Sequence, residues 1–163
     1  VNNNADKTSL DVNKGTTNSK ITEYVVVTMT KYWKSADGTT DSATDNKLIS
    51  WVLGTEDWIV LNESDNQVVL LYAKPVTGGE FTSVVLKSVT MPKDLTGLKG
   101  KSIGLNVTAE SVQYIAADGT QETADTNADA IATAYGVKVT VDKTTGAVAL
   151  PDTSQVVKTT ANP

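Results

Sequence analysis

The side chains able to do chemistry in this sequence are hydroxyls, carboxylates, amides and lysine amines; histidine, cysteine and arginine are all absent. Serine and threonine nucleophiles are plentiful, but no imidazole exists to activate one near neutral pH. Without cysteine there is no thiolate chemistry, no cysteine zinc site and no disulfide framework. Without arginine there is no bidentate guanidinium clamp for phosphate or carboxylate. What remains is carboxylate chemistry, in which a pair of acids could hydrolyse a glycoside. Glu56-Asp57 and Glu122/Asp125 are the pairs on offer. Both read as loop acids serving solubility, so no enzyme is expected. Asp41, Asp45 and Asn46 carry oxygen ligands of the kind calcium takes, but their spacing matches no EF-hand loop and a solvated loop is the plainer reading. Gly78-Gly79 lacks the lysine and hydroxyl of a phosphate loop. No cofactor and no metal are expected.

Amides offer modification chemistry instead. Asn62-Glu63-Ser64 and Asn106-Val107-Thr108 are N-glycosylation triplets in a host that uses them. Asn62 falls in a predicted turn and Asn106 on the wet face of a predicted strand. A covalent lysine–asparagine crosslink would need the pair buried beside a carboxylate, which sequence cannot show. Trp51 and Trp58 are possible sugar-stacking platforms in a carbohydrate-binding or adhesin module, but large aromatics are more often core.

These groups must be held by strands. The chain has 163 residues, one domain's worth, and a net charge of −5 without a basic run, which argues against nucleic acid. No apolar run is long enough for a spanning helix. The sequence opens Val-Asn-Asn-Asn without methionine, as a processed mature protein would. Threonine and valine favour pleated surfaces, and short β-like runs alternate with turn signals. An antiparallel β-sandwich or barrel is the default, with one short helix.

Residues 100–113 organise the rest. Ile103, Leu105, Val107 and Ala109 share one parity; Ser102, Asn106, Thr108 and Glu110 share the other. A period of two places the first set on the core and the second in water. Val112 and Tyr114 shift the parity, which predicts a bulge or strand end near Glu110 or Ser111. Residues 20–33 carry bulk on both faces and read as a central strand. Residues 57–61 and 67–74 form a hairpin around a turn at 62–66, and Pro75 ends the pairing. Residues 48–53 are a helical turn or a strand, and 81–91 a strand stopped by Pro92. The predicted helix spans 128–135, capped by Thr126 or Asn127, with Gly136 at its C-terminal side. Val137, Val139 and Val141 alternate as a last strand, and 147–150 pair back. Residues 1–19 form a polar extension, 20–150 the folded domain and 151–163 a tail.

Six segments, in order, resemble the TasA/camelysin family of secreted fibre-forming proteins and its archaeal bundling-pilus relatives. They are Thr-Glu-Tyr-Val-Val-Val-Thr-Met-Thr-Lys-Tyr-Trp (22–33), Glu-Asp-Trp-Ile-Val (56–60), Leu-Leu-Tyr-Ala-Lys-Pro-Val-Thr-Gly-Gly-Glu (70–80), Leu-Lys-Ser-Val-Thr-Met-Pro (86–92), the stretch 100–113, and Ala-Asp-Ala-Ile-Ala-Thr-Ala-Tyr-Gly-Val (128–137). The resemblance implies a jelly-roll β-sandwich, secretion, and assembly of identical subunits into extracellular filaments of a biofilm matrix, with bundling of filaments. It also implies polymerisation by donor-strand complementation. The matching donor is Thr8, Ser9, Leu10, Asp11, Val12, Asn13 and Lys14, with Leu10 and Val12 as anchors. Whether the donor is this segment or the C-terminal one stays open. The family's apolar strand ahead of residues 22–33 is replaced here by about twenty polar residues. The peptidase activity described for camelysins does not carry over, because the chain has neither histidine nor a zincin helix.

Overall fold

The computed structural model describes residues 21–54 and 56–151, together with the backbone of residues 157–159. The candidate donor 8–14 lies outside the described residues. Strand β1 (Thr22–Lys34) is the axis of the fold. Its alternating bulky residues let it bury both faces, as the sequence predicts for a central strand. Along one edge it pairs antiparallel with β8 (Ser102–Gln113), in unbroken register from Glu23–Gln113 to Lys34–Ser102. Along the other edge it meets three strands in turn: β6 (Val76–Thr77), β5 (Gln67–Tyr72) and β2 (Thr40–Asp41). Strand β4 (Trp58–Ser64) pairs antiparallel with β5 as the predicted hairpin, with a register shift between Val60 and Asn62. Strand β11 (Val157–Thr159), within the predicted tail, adds in parallel to β4.

Two layers cover this sheet. On one face lies a two-stranded sheet of β3 (Ser50–Leu53) and β7 (Leu86–Thr90). Val25, Val27 and Met29 meet it there, with Val68 and Leu70 beside them. A 3₁₀ turn, Asn46–Leu48, leads into β3. The predicted strand over 81–91 is shorter than its pattern, because Phe81 and Val84 stay exposed before β7 begins. On the opposite face lie helix α1 (Gln121–Tyr135) and the pair β9 (Thr140–Val141) and β10 (Val148–Ala149). Tyr24, Val26, Leu61 and Leu71 pack there against Ile131, Val137 and Val148. The architecture is an all-β sandwich of antiparallel sheets with one helix.

Three local expectations change. The helix starts at Gln121, seven residues earlier than its apolar pattern suggests. Thr120 caps it in an extended conformation, accepting from the Thr123 N–H, and Gly136 closes it at φ 70°. Its buried residues, Ala124, Asn127 and Ile131, lie at helical spacing on one stripe. The first two turns are otherwise polar, which hides the stripe from a hydropathy reading. No bulge interrupts β8 near Glu110 or Ser111. The parity of apolar residues changes because the covering layer changes: Ile103 lies on the β3–β7 side, whereas Val112 pairs with Tyr24 on the helix side. Finally, Asn62 sits inside β4 and pairs with Val69 of β5, so it is not a turn residue.

Candidate functional site

Strand β8 is twelve residues long, and among the described residues its only ladder partner is β1. Both edges of β1 are filled and β11 lies along β4, which leaves the outer edge of β8 as the long edge of the sheet without a described partner. An edge strand presents a row of backbone donors and acceptors to any incoming strand. Proteins usually blunt such edges with proline, lysine or a bulge. Residues 102–113 contain no proline and no lysine, their register is unbroken, and Glu110 is their one charged residue.

The face of β8 reinforces this. Leu105, Val107 and Ala109 have the parity predicted for the core, opposite Lys31, Met29 and Val27 of β1. Met29 and Val27 are fully buried beneath β3–β7, yet Leu105 is 37% and Val107 50% exposed, and Ala109 is also exposed. A two-stranded layer is too narrow to reach across β8. Only Ile103, at the end nearest Trp33, Ile49 and Leu98, is partly covered. The result, among the described residues, is a long edge without a ladder partner beside an exposed apolar row.

Beneath the small layer lies Lys31, a buried cation opposite Leu105. Its Nζ donates to the Ile49 carbonyl at 2.6 Å and stands 4.7 Å from the centre of the Trp51 ring. Burial lowers the pKa of this ammonium; the charges of Asp65, Glu63 and Asp45 oppose the shift. The buried amide, Asn127, is on the helix side, where it both accepts from and donates to the Ile115 backbone at 2.9 Å. The two lie on opposite faces of the sheet, so they form no crosslinking pair.

The remaining sequence candidates have structural duties. Asp57 pairs with Lys74 at 2.8 Å, and the Glu56 carbonyl accepts from Ser83. Asp125 accepts from Gln121 within the first turns of α1, and Glu122 is exposed there. Asp41 is held by Lys101 and by Thr44, while Asp45 caps the 3₁₀ turn by accepting from the Lys47 N–H. Asp41 and Asp45 are thus committed to local hydrogen bonds, and no group of three or more His, Cys, Asp or Glu that could hold a metal ion occurs among the described residues. Trp58 is buried against Tyr72, and Trp51 is half-buried with one ring face against the Lys31 ammonium; neither is a free stacking platform. Asn106 is exposed on the wet face of β8, as predicted.

Compared with models of protein families, with curated proteins and with solved structures, the chain shows no match.

Proposed function

We propose that this protein is the structural subunit of an extracellular filament of the biofilm-matrix type, in which identical copies join head to tail by strand addition. The observation that carries the reading is β8: a long, unblunted edge flanked by the exposed Leu105 and Val107. An added strand would satisfy the backbone edge and cover the apolar row in one step. A donor at one end and an acceptor edge elsewhere make a head-to-tail contact, which builds a filament when the rotation between copies does not close into a ring.

The donor proposed is the segment 8–14 of a neighbouring copy, with Leu10 and Val12 seated along Leu105 and Val107. Both edges of β1 are occupied by described strands, so the edge proposed to receive this segment is that of β8 in another copy. The family resemblance is what supports exchange between copies. Secretion and matrix localisation follow from the same resemblance and are part of the proposal.

Deleting residues 1–14 tests it. The truncated protein should fold, fail to form fibres, and cap growing ends when mixed with intact protein, because it keeps the acceptor edge. Fibres of normal yield from the truncated protein alone, seen by negative-stain microscopy, would refute the N-terminal donor.

A further inference from the structure

A groove of about 450 Å³ opens on the other face of the sheet, where β1 and β8 run beyond the helix layer. Its volume is in the range of about 300–1,000 Å³ typical of small-molecule sites. Three asparagines from separate parts of the chain line it: Asn46 from the 3₁₀ turn, Asn66 from the β4–β5 turn and Asn106 from β8. Thr30, Ser42 and the half-buried Tyr32 add hydroxyls. Tyr32 is held there because Gly104 has no side chain; a Cβ at that position would come within 2.4 Å of the ring.

The electrostatics narrow the ligand. The one ionisable acid lining the groove is Asp41, and its charge is engaged by Lys101. No lysine lines the groove: Lys101 is paired with Asp41 and Lys34 Nζ stands 5.8 Å from the centre of the Tyr32 ring, so the cations beside it are already engaged, which disfavours an anionic ligand. The density of amides and hydroxyls equally disfavours a lipid tail, since each would have to be buried without a partner. Asn46 Oδ1 is buried with no donor among the described residues. Buried acceptors rarely remain unpaired, and a ligand hydroxyl would satisfy this one if the Asn46 side chain turned its Oδ1 toward the groove.

We infer that this groove binds a neutral saccharide, with the amides of Asn46, Asn66 and Asn106 reading its hydroxyls and Tyr32 supplying a flat apolar flank. Asn106 has the opposite parity to Leu105 and Val107, so the groove and the apolar row lie on different faces of β8. The inference does not rest on the filament reading. A glycan on Asn106 itself would occupy the groove, so the test needs protein whose intact mass shows an unmodified asparagine.

The experiment is a titration with cellotetraose, maltotetraose and chitotetraose, with glucuronate as an anionic control. It is followed through the side-chain amide resonances of the three asparagines. At least one neutral sugar should shift all three amides saturably at about millimolar concentration. Asn46→Leu removes no protein hydrogen bond to Oδ1 and should weaken binding about tenfold, as loss of one hydrogen bond predicts. The exposed Asn106→Ala should do the same with the backbone spectrum unchanged. Silence from all three sugars, shifts confined to other residues, glucuronate binding equally well, or unchanged affinity in both variants would overturn the inference.

Discussion

Replacing Val107 with lysine puts a charge in the uncovered apolar row of β8, and its effect can be worked out in advance. Fixing seven donor residues costs about 1–2 kcal/mol each in backbone entropy. The ladder bonds return about 0.5–1.5 kcal/mol each, which recovers part of that cost. Apolar burial on both strands must supply the rest, and the β8 row is the acceptor's share of it. Burying a whole Val or Leu side chain is worth about 1.5–3 kcal/mol. With Leu105 37% and Val107 50% exposed, the unburied fractions leave about 1–2.5 kcal/mol for an incoming strand. A lysine at 107 removes about half of that and adds the cost of desolvating or displacing an ammonium. The combined loss, about 2–3 kcal/mol, raises the critical concentration for assembly about 30- to 150-fold. The monomer should change by no more than about 0.5 kcal/mol, because the side chain is already half in water. Thr108→Gln is the matched control: it is exposed, one residue on and on the opposite face, and adds a long polar side chain without charging the edge, so assembly should be close to normal. Critical concentration is read by sedimentation and monomer stability by urea unfolding. If Val107→Lys assembles at the wild-type concentration with an unchanged urea midpoint, the β8 row is not the docking surface.

Two further predictions concern the fold itself. Gly104→Ala should destabilise the domain by about 1–3 kcal/mol, because the new methyl group meets Tyr32 Cε2 and Cζ at 2.4 Å. In a Tyr32→Ala background the same change should cost clearly less, and equal costs in both backgrounds would refute the packing explanation. Acid should weaken the fold through Asp41 and Asp118. The Lys101 ammonium, then Thr44 and the Ala43 amide, lower Asp41 from 3.8 to about 2; Thr120 and Thr123 lower Asp118 to about 2. Carboxyls whose folded pKa is depressed contribute stability that is fully present above about pH 4 and is lost as pH falls through about 2. The urea midpoint should therefore drop across that window. Asp41→Asn should start lower at pH 6 and fall less steeply; parallel curves would show that Asp41 does not contribute.

Local pattern was enough for much of the framework. The two-faced bulk of residues 22–34 makes β1 central wherever it is placed. The β4–β5 hairpin follows from two apolar runs around a polar turn. Gly136 ends α1 because the left-handed conformation there costs glycine nothing. All of these depend on neighbours a few residues away, and sequence displays such neighbours directly. Imidazole, thiol and guanidinium chemistry can be excluded in the same way, since no fold supplies a side chain that the sequence lacks. Coverage of a face, by contrast, is a property of the layer packed against it. The alternation in β8 indicated which residues were apolar, but only the narrowness of the β3–β7 layer leaves Leu105 and Val107 in water. It likewise took tertiary packing to bury Trp58, to set Asn62 inside a strand and to join Asn46, Asn66 and Asn106 around one groove. Spacing along the chain says nothing about groups that meet only after distant segments have folded together.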